Sequence, residues 1–93
     1  MEARIMLKLT HEDVQEKIPY GIVCETYCRE IFRTGRARRL RKKRFTDAEW
    51  ERCLDLCKLA YKWFLKTGVP EEVTMSARTF ALWMKLGEYC AAL

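Results

Sequence analysis

The sequence predicts a mostly α-helical, compact single domain of three to four helices, with a minor two-stranded β-ribbon pairing residues 5–9 with 73–75. Three observations carry that expectation. Thr10 with Asp13, and Thr46 with Glu49, have the spacing of a helix cap whose third helical residue is acidic. Apolar residues after Asp47 recur every three or four positions, the repeat of a buried helix face. Only four Gly and two Pro occur among 93 residues, too few for a loop-rich or many-stranded fold. At 49% hydrophobic residues the chain can bury one modest core, and it is expected to fold and not remain disordered.

Taken in order, Ile5, Leu7 and Leu9 alternate with Met6 and Lys8, the period of a short strand. Thr10 then caps a short helix from His11 to Lys17, which Pro19 ends. A second helix runs from Pro19 to Thr34, with Gly35 as its stop. It carries Ile22, Val23, Tyr27, Ile31 and Phe32 as apolar positions, and Cys24 and Cys28 on an adjoining stripe. The third helix runs from Asp47 to Lys66 or Thr67 and is ended by Gly68 and Pro70. Trp50, Cys53, Leu54, Cys57, Ala60, Tyr61 and Phe64 form its apolar face, widened by Leu56, Leu59 and Trp63. Glu51, Asp55, Lys58, Lys62 and Lys66 form a narrow polar strip, acidic first and basic last, the order that suits the helix dipole. Val73 to Met75 is the stretch able to pair with residues 5–9. Ser76 caps a last helix from Ala77 to Cys90, in which Gly87 marks a close helix–helix crossing.

Charge supplies the main functional signal. The chain holds 18 basic and 13 acidic residues, a net charge of +5. Seven of the nine residues from Arg36 to Arg44 are basic, and without them 11 basic residues face 13 acidic ones. The basicity is local, so this tract makes a concentrated field that attracts phosphate, anionic lipid or an acidic protein surface. Arg36, Arg38, Arg39, Arg41, Lys42, Lys43 and Arg44, with Arg33 before them, are the candidate nucleic-acid-binding residues. Their guanidinium and ammonium groups suit the backbone of DNA or RNA, where Arg grips phosphate through two parallel hydrogen bonds. Arg29, Lys58, Lys62 and Lys66 could widen the patch, and Phe45 and Trp50 lie near enough in sequence to stack on a base. The competing readings are an acidic surface of a partner protein and a solvated connection that keeps the chain soluble. Helix-turn-helix reading of sequence is not supported, because the connection from Gly68 to Ser76 exceeds the usual three- or four-residue turn.

Five cysteines form the second pattern. Cys24/Cys28 and Cys53/Cys57 are each one helical turn apart, so each pair lies on one face. The simplest reading is that they fill a helix–helix seam as small hydrophobes. Four thiolates around zinc, from Cys24, Cys28, Cys53 and Cys57, are the alternative metal site, and interhelical disulfides are a third reading. The twin pairs, with Glu51 to Cys57 followed by Ala60-Tyr61, resemble the small chaperones of the mitochondrial intermembrane space. That resemblance implies helical hairpins whose paired cysteines form disulfides. It covers about a third of the chain. The stretch from Cys28 to Cys53 is longer than that family's usual connector, a whole helix is added after Gly68, and a fifth cysteine is present, so no membership follows.

Nothing in the sequence assembles a catalytic site. His11 is the single histidine and reads as part of a capped, solvated first turn, and no Gly-rich phosphate loop exists. No apolar run reaches the ~18–20 residues of a membrane span, and the start of the chain lacks the pattern of a secretory signal. The ending Cys90-Ala-Ala-Leu93 has the form of a prenylation box, although Cys90 also continues the apolar face of the last helix. The expectation is a non-enzymatic protein of a reducing, cytoplasmic compartment, with no cofactor and no membrane partner. It contacts nucleic-acid backbone with little sequence preference. The alternative is a small inhibitor or adaptor of viral or mobile-element type, docking on a nucleic-acid-handling enzyme or complex.

Overall fold

Each of the two strands runs directly into a helix, and in both cases the last strand residue caps that helix. The computed structural model describes residues 5–25 and 44–92. Strand β1 (Met6–Thr10) is followed at once by α1 (His11–Lys17), and β2 (Glu72–Ser76) by α4 (Ala77–Ala92). Between them lie α2, described over residues 20–25, and α3 (Asp47–Leu65). The remainder of the expected second helix, Gly35, Cys28 and the tract up to Lys43 lie outside the described residues.

The strands pair antiparallel, with Met6 opposite Ser76, Leu7 opposite Met75, Leu9 opposite Val73 and Thr10 opposite Glu72. Period-two alternation decides which side is inward: Leu9 and Met75 are buried, Leu7 and Val73 are half-buried, and Met6, Lys8, Thr10 and Thr74 face outward. The Ala77 amide donates to the Ile5 carbonyl at 2.8 Å, carrying the ladder one step beyond Ser76. Because the pairing is antiparallel, α1 and α4 leave the ribbon from opposite ends.

Local chemistry fixes the helix starts. At α1 the Asp13 amide donates to the Thr10 hydroxyl at 3.2 Å, and the Thr10 amide donates back to the Asp13 carboxylate at 3.0 Å. At α3 the same reciprocal pair joins Thr46 and Glu49, at 3.1 and 3.0 Å. At α4 the Thr79 amide donates to the Ser76 hydroxyl at 3.1 Å. Pro19 supplies the carbonyl for the first turn of α2, accepting from the Ile22 and Val23 amides.

The end of α3 differs from expectation. Lys66, not Gly68, adopts the first left-handed conformation (φ 55°), with Gly68 following at φ 67°. The Lys66 and Thr67 amides cap carbonyls of the last turn, so the stop is made by hydrogen bonding before the glycine is reached.

A single apolar core includes Leu9, Val14, Ile18, Tyr20, Val23, Leu56, Trp63, Trp83, Leu86 and Tyr89. On α3 the buried stripe is Cys53, Leu56, Cys57, Ala60 and Trp63. Tyr61, Phe64 and Leu65, assigned or adjacent to the apolar face by spacing, are exposed, as is Ile22 on α2. A helix apolar on so much of its circumference gives no internal sign of which flank faces the core, and here tertiary packing chose the Leu56–Trp63 side.

Gly87 is buried, and among the described residues the element against it is the turn between α1 and α2 and not another helix. A Cβ there would lie 3.4 Å from Ile18 Cγ2 and 3.8 Å from Pro19 Cδ. These are ordinary contact distances, so the glycine is not required by space. Gly87→Ala is therefore expected to raise stability by up to about 1 kcal/mol through helix propensity, measured as an increased urea midpoint with an unchanged m-value. A lowered midpoint would show that the Ile18–Pro19 turn cannot yield.

Candidate nucleic-acid interface

The described end of the basic tract is Arg44, and its position is set by the residue that follows. Arg44 is exposed, whereas Phe45 is buried. The Phe45 ring packs edge-on to Tyr89 with centroids 5.4 Å apart and lies 5.6 Å from the Trp50 ring. Thr46 then caps α3. The tract thus enters the fold through an aromatic anchor and stops at a helix cap. Phe45 is unavailable for stacking on a base, and Trp50 is half-buried in the same cluster.

Beside this anchor, the start of α3 and the first half of α4 enclose a groove of about 670 Å³. Thr46, Ala48, Glu49 and Arg52 form one wall, and Arg78, Ala81, Leu82 and Lys85 the other. The second set stands at spacings of three and four, one face of α4. Lys85 Nζ lies 4.8 Å from the centroid of the Phe45 ring, a cation–π contact, and 3.9 Å from Glu49 Oε2. The Thr46 amide donating to its carboxylate holds Glu49 below the usual carboxylate range. The Thr46 hydroxyl, Lys85 and Arg78 add to that effect, and partial burial opposes it. Arg52 and Arg78 are exposed and have no ion-pair partner among the described residues.

The cations brought near Arg44 are not the ones that sequence proximity suggested. Lys58, Lys62 and Lys66 are exposed but lie toward the far end of α3, a helix roughly 28 Å long at 1.5 Å per residue. Lys85 is the one placed at the tract's end, over the Phe45 ring, and it shares its groove with Arg52 and Arg78. The readable signal was the seven-residue interval from Arg78 to Lys85, which places both on one helix face. Their closeness to Arg52 is a tertiary fact. Arg33, Arg36, Arg38, Arg39, Arg41, Lys42 and Lys43 lie outside the described residues.

His11 is not the solvated first-turn residue that its acidic neighbours suggested. Its ring is partly buried, with Nε2 3.2 Å from the Trp63 carbonyl oxygen, where a ring N–H donates, and the Tyr20 hydroxyl rests against the same ring. Burial raises the Tyr20 hydroxyl above its ordinary pKa. This cluster ties α1 and α2 to the end of α3, and His11 also lines a cleft with Glu12, Lys66 and Glu71.

Cys24, Cys53, Cys57 and Cys90 are all buried. The Cys24 thiol points at the Cys57 carbonyl, Sγ to O 3.9 Å. Burial pushes both Cys53 and Cys90 up to about 12, with Glu49 adding to the shift at Cys53 and the neighbouring thiols Cys53 and Cys24 adding at Cys90. Among the described residues no group of three or more His, Cys, Asp or Glu could hold a metal ion. Cys28, the fourth member of the expected zinc set, lies outside them. The burial of Cys24, Cys53 and Cys57 in the core is what the gap-filling reading expects. No described helix is long and apolar enough to cross a membrane.

Compared with protein-family models, curated proteins and solved structures, the chain matches none.

The thiols generate a direct expectation. At pH 8 the native protein's Cys53 and Cys90 should resist a thiol-reactive disulfide reagent over minutes, because the thiolate is the reacting species, and should react at once in urea. Rapid labelling of either residue in the native state, located by mass spectrometry, would show that the core opens there.

Proposed function

We propose that this chain is a small non-enzymatic nucleic-acid-binding protein that contacts phosphate backbone through Arg36 to Arg44, with little sequence preference. One observation carries the reading: seven basic side chains in nine residues, on a chain that is otherwise slightly acidic. Charges serving solubility alone would be spread among both signs, whereas a same-sign block suits a polyanion whose binding releases counterions. The exposure of Arg44 and the burial of Phe45 beside it are consistent with backbone contact and not base stacking.

The test is a salt titration of binding to mixed-sequence single- and double-stranded DNA and RNA. The wild type is compared with a variant in which Arg38, Arg39, Arg41 and Lys42 are all changed to Ala. If six or more phosphates are engaged, wild-type affinity falls by about 10³ or more between about 50 and 200 mM salt, and the variant shows a flatter slope. Absence of binding to every nucleic acid at the low salt end would sink the reading.

A second reading, an inhibitor or adaptor docking on a nucleic-acid-handling protein, is favoured by a different observation. Tyr61, Phe64 and Leu65 stand at helical spacing on α3 and are 52%, 57% and 45% exposed. The Phe64 ring lies over Gly21, next to the exposed Ile22, so the apolar patch spans two helices. In this case binding of an isolated partner protein should persist at high salt and fall at least tenfold in a Tyr61→Ser, Phe64→Ser variant. A variant with unchanged affinity would remove the patch from the interface.

A further inference from the structure

The groove between α3 and α4 carries more positive charge than its own carboxylate can answer. Among the described residues, Arg52, Arg78 and Lys85 line it against Glu49 alone. Glu49 is already committed: one carboxylate oxygen accepts from the Thr46 amide at 3.0 Å, and the other faces Lys85 at 3.9 Å. That leaves two exposed guanidinium groups on facing helices with no ion-pair partner among the described residues. Like charges gathered in a concave site focus the field there and favour an anion between them.

We infer that this groove is a second phosphate-binding site, in which Arg52 and Arg78 grip backbone phosphates of the polynucleotide held by the basic tract. The inference rests on the nucleic-acid reading above. Guanidinium donors match phosphate oxygens in pairs, and the groove supplies two such forks. Ala48 and Ala81 add only short side chains to the groove's described lining. Continuity selects a polynucleotide over an acidic peptide. Arg44, the last residue of the tract, is two residues from Thr46 on the groove wall, a backbone distance of at most about 7 Å. A chain of regularly spaced phosphates at Arg44 would thus lie within reach of the groove's Thr46 end. Phe45, being buried, offers no surface for base stacking beside the groove, in keeping with little sequence preference.

The experiment measures binding of a fluorescein-labelled, mixed-sequence DNA strand by anisotropy across a salt series. It compares the wild type, the tract variant (R38A, R39A, R41A and K42A together), R52Q/R78Q and R52K/R78K. Both arginines are exposed, so the substitutions leave the core intact, and circular dichroism checks this. Loss of two phosphate contacts should lower the magnitude of the log affinity against log salt slope by about 1.4 in R52Q/R78Q, at about 0.7 per contact on a single strand. R52K/R78K, which keeps both charges, should retain the wild-type slope. An unchanged slope in R52Q/R78Q, with a flattened slope in the tract variant, would overturn the groove site and leave the tract reading standing. Equal losses in the Gln and Lys variants would also overturn it, since charge would not be the cause. If the wild type fails to bind at all, both readings fall. A polyglutamate competitor completes the test. Displacement of DNA from the wild type, with polyglutamate unable to bind R52Q/R78Q, would assign the groove to acidic peptides and overturn the proposal.

Discussion

Trp63 is the residue on which the arrangement of elements depends. It is almost wholly buried, and its indole N–H donates to the Pro70 carbonyl at 3.3 Å. Its ring lies 5.9 Å from that of Trp83 on α4 and 5.8 Å from that of His11 on α1, and its own carbonyl accepts from the His11 ring. One side chain therefore fixes the end of α3, the returning loop, the last helix and the first. Pro70 lies two residues before β2, so holding its carbonyl also holds the strand that pairs with β1. A buried aromatic of this size removes roughly 150–250 Å² from water, and its polar tip needs a partner when it does so. Trp83 makes the contrast plain. It is fully buried, its N–H has no partner within the described structure, and packing alone must offset that cost.

The two ends of α3 serve different purposes. At its C-terminal end the helix is joined to the ribbon and to α1 by aromatic and hydrogen-bonded contacts around Trp63. At its N-terminal end, Phe45, Trp50 and Tyr89 form a second aromatic group, with ring centroids 5.4–6.3 Å apart. Beyond that group lie charged side chains and the cap. The reciprocal Thr46–Glu49 hydrogen bonds matter twice here: they start the helix, and they engage the carboxylate that lies in the groove with Arg52 and Arg78.

How much of this was legible in the sequence follows from the range of the interactions. Both reciprocal caps lie within four residues, so Thr10–Asp13 and Thr46–Glu49 could be read directly, and the helices begin where they indicate. The ribbon was legible from alternation at Ile5 to Leu9 and from the lack of any other extended stretch, and its register places Leu7 opposite Met75. Legibility ended where several solutions satisfied the local pattern. The face of α3 was too wide for spacing alone to exclude Tyr61 and Phe64 from the core. Gly87 signalled a close approach without naming its neighbour, which proved to be the Ile18–Pro19 turn. His11, flanked by Glu12 and Asp13, carried no local sign of its contacts with Trp63 and Tyr20, residues 52 and 9 positions away. The gathering of Arg52 with Arg78 and Lys85 belongs to the same category: charge is visible in a sequence, and coincidence in space is not.

That distinction bears on how a short basic tract could bind a polyanion with any useful affinity. Each backbone residue that must be fixed on binding costs roughly 1–2 kcal/mol, and counterion release must outweigh that loss in any complex with a polyanion. Cations mounted on helices are already ordered and bring the same electrostatic gain at a smaller entropic cost. Arg52 on α3 and Arg78 and Lys85 on α4 are held by elements that pack through the core, and Lys85 is further placed by the Phe45 ring. Phe45 fixes the point from which the tract departs, next to those preformed charges. A buried aromatic at this junction thus links a segment that supplies many charges to a surface that supplies a few in fixed positions. On the proposed function, that combination would favour backbone contact without the protein reading a base.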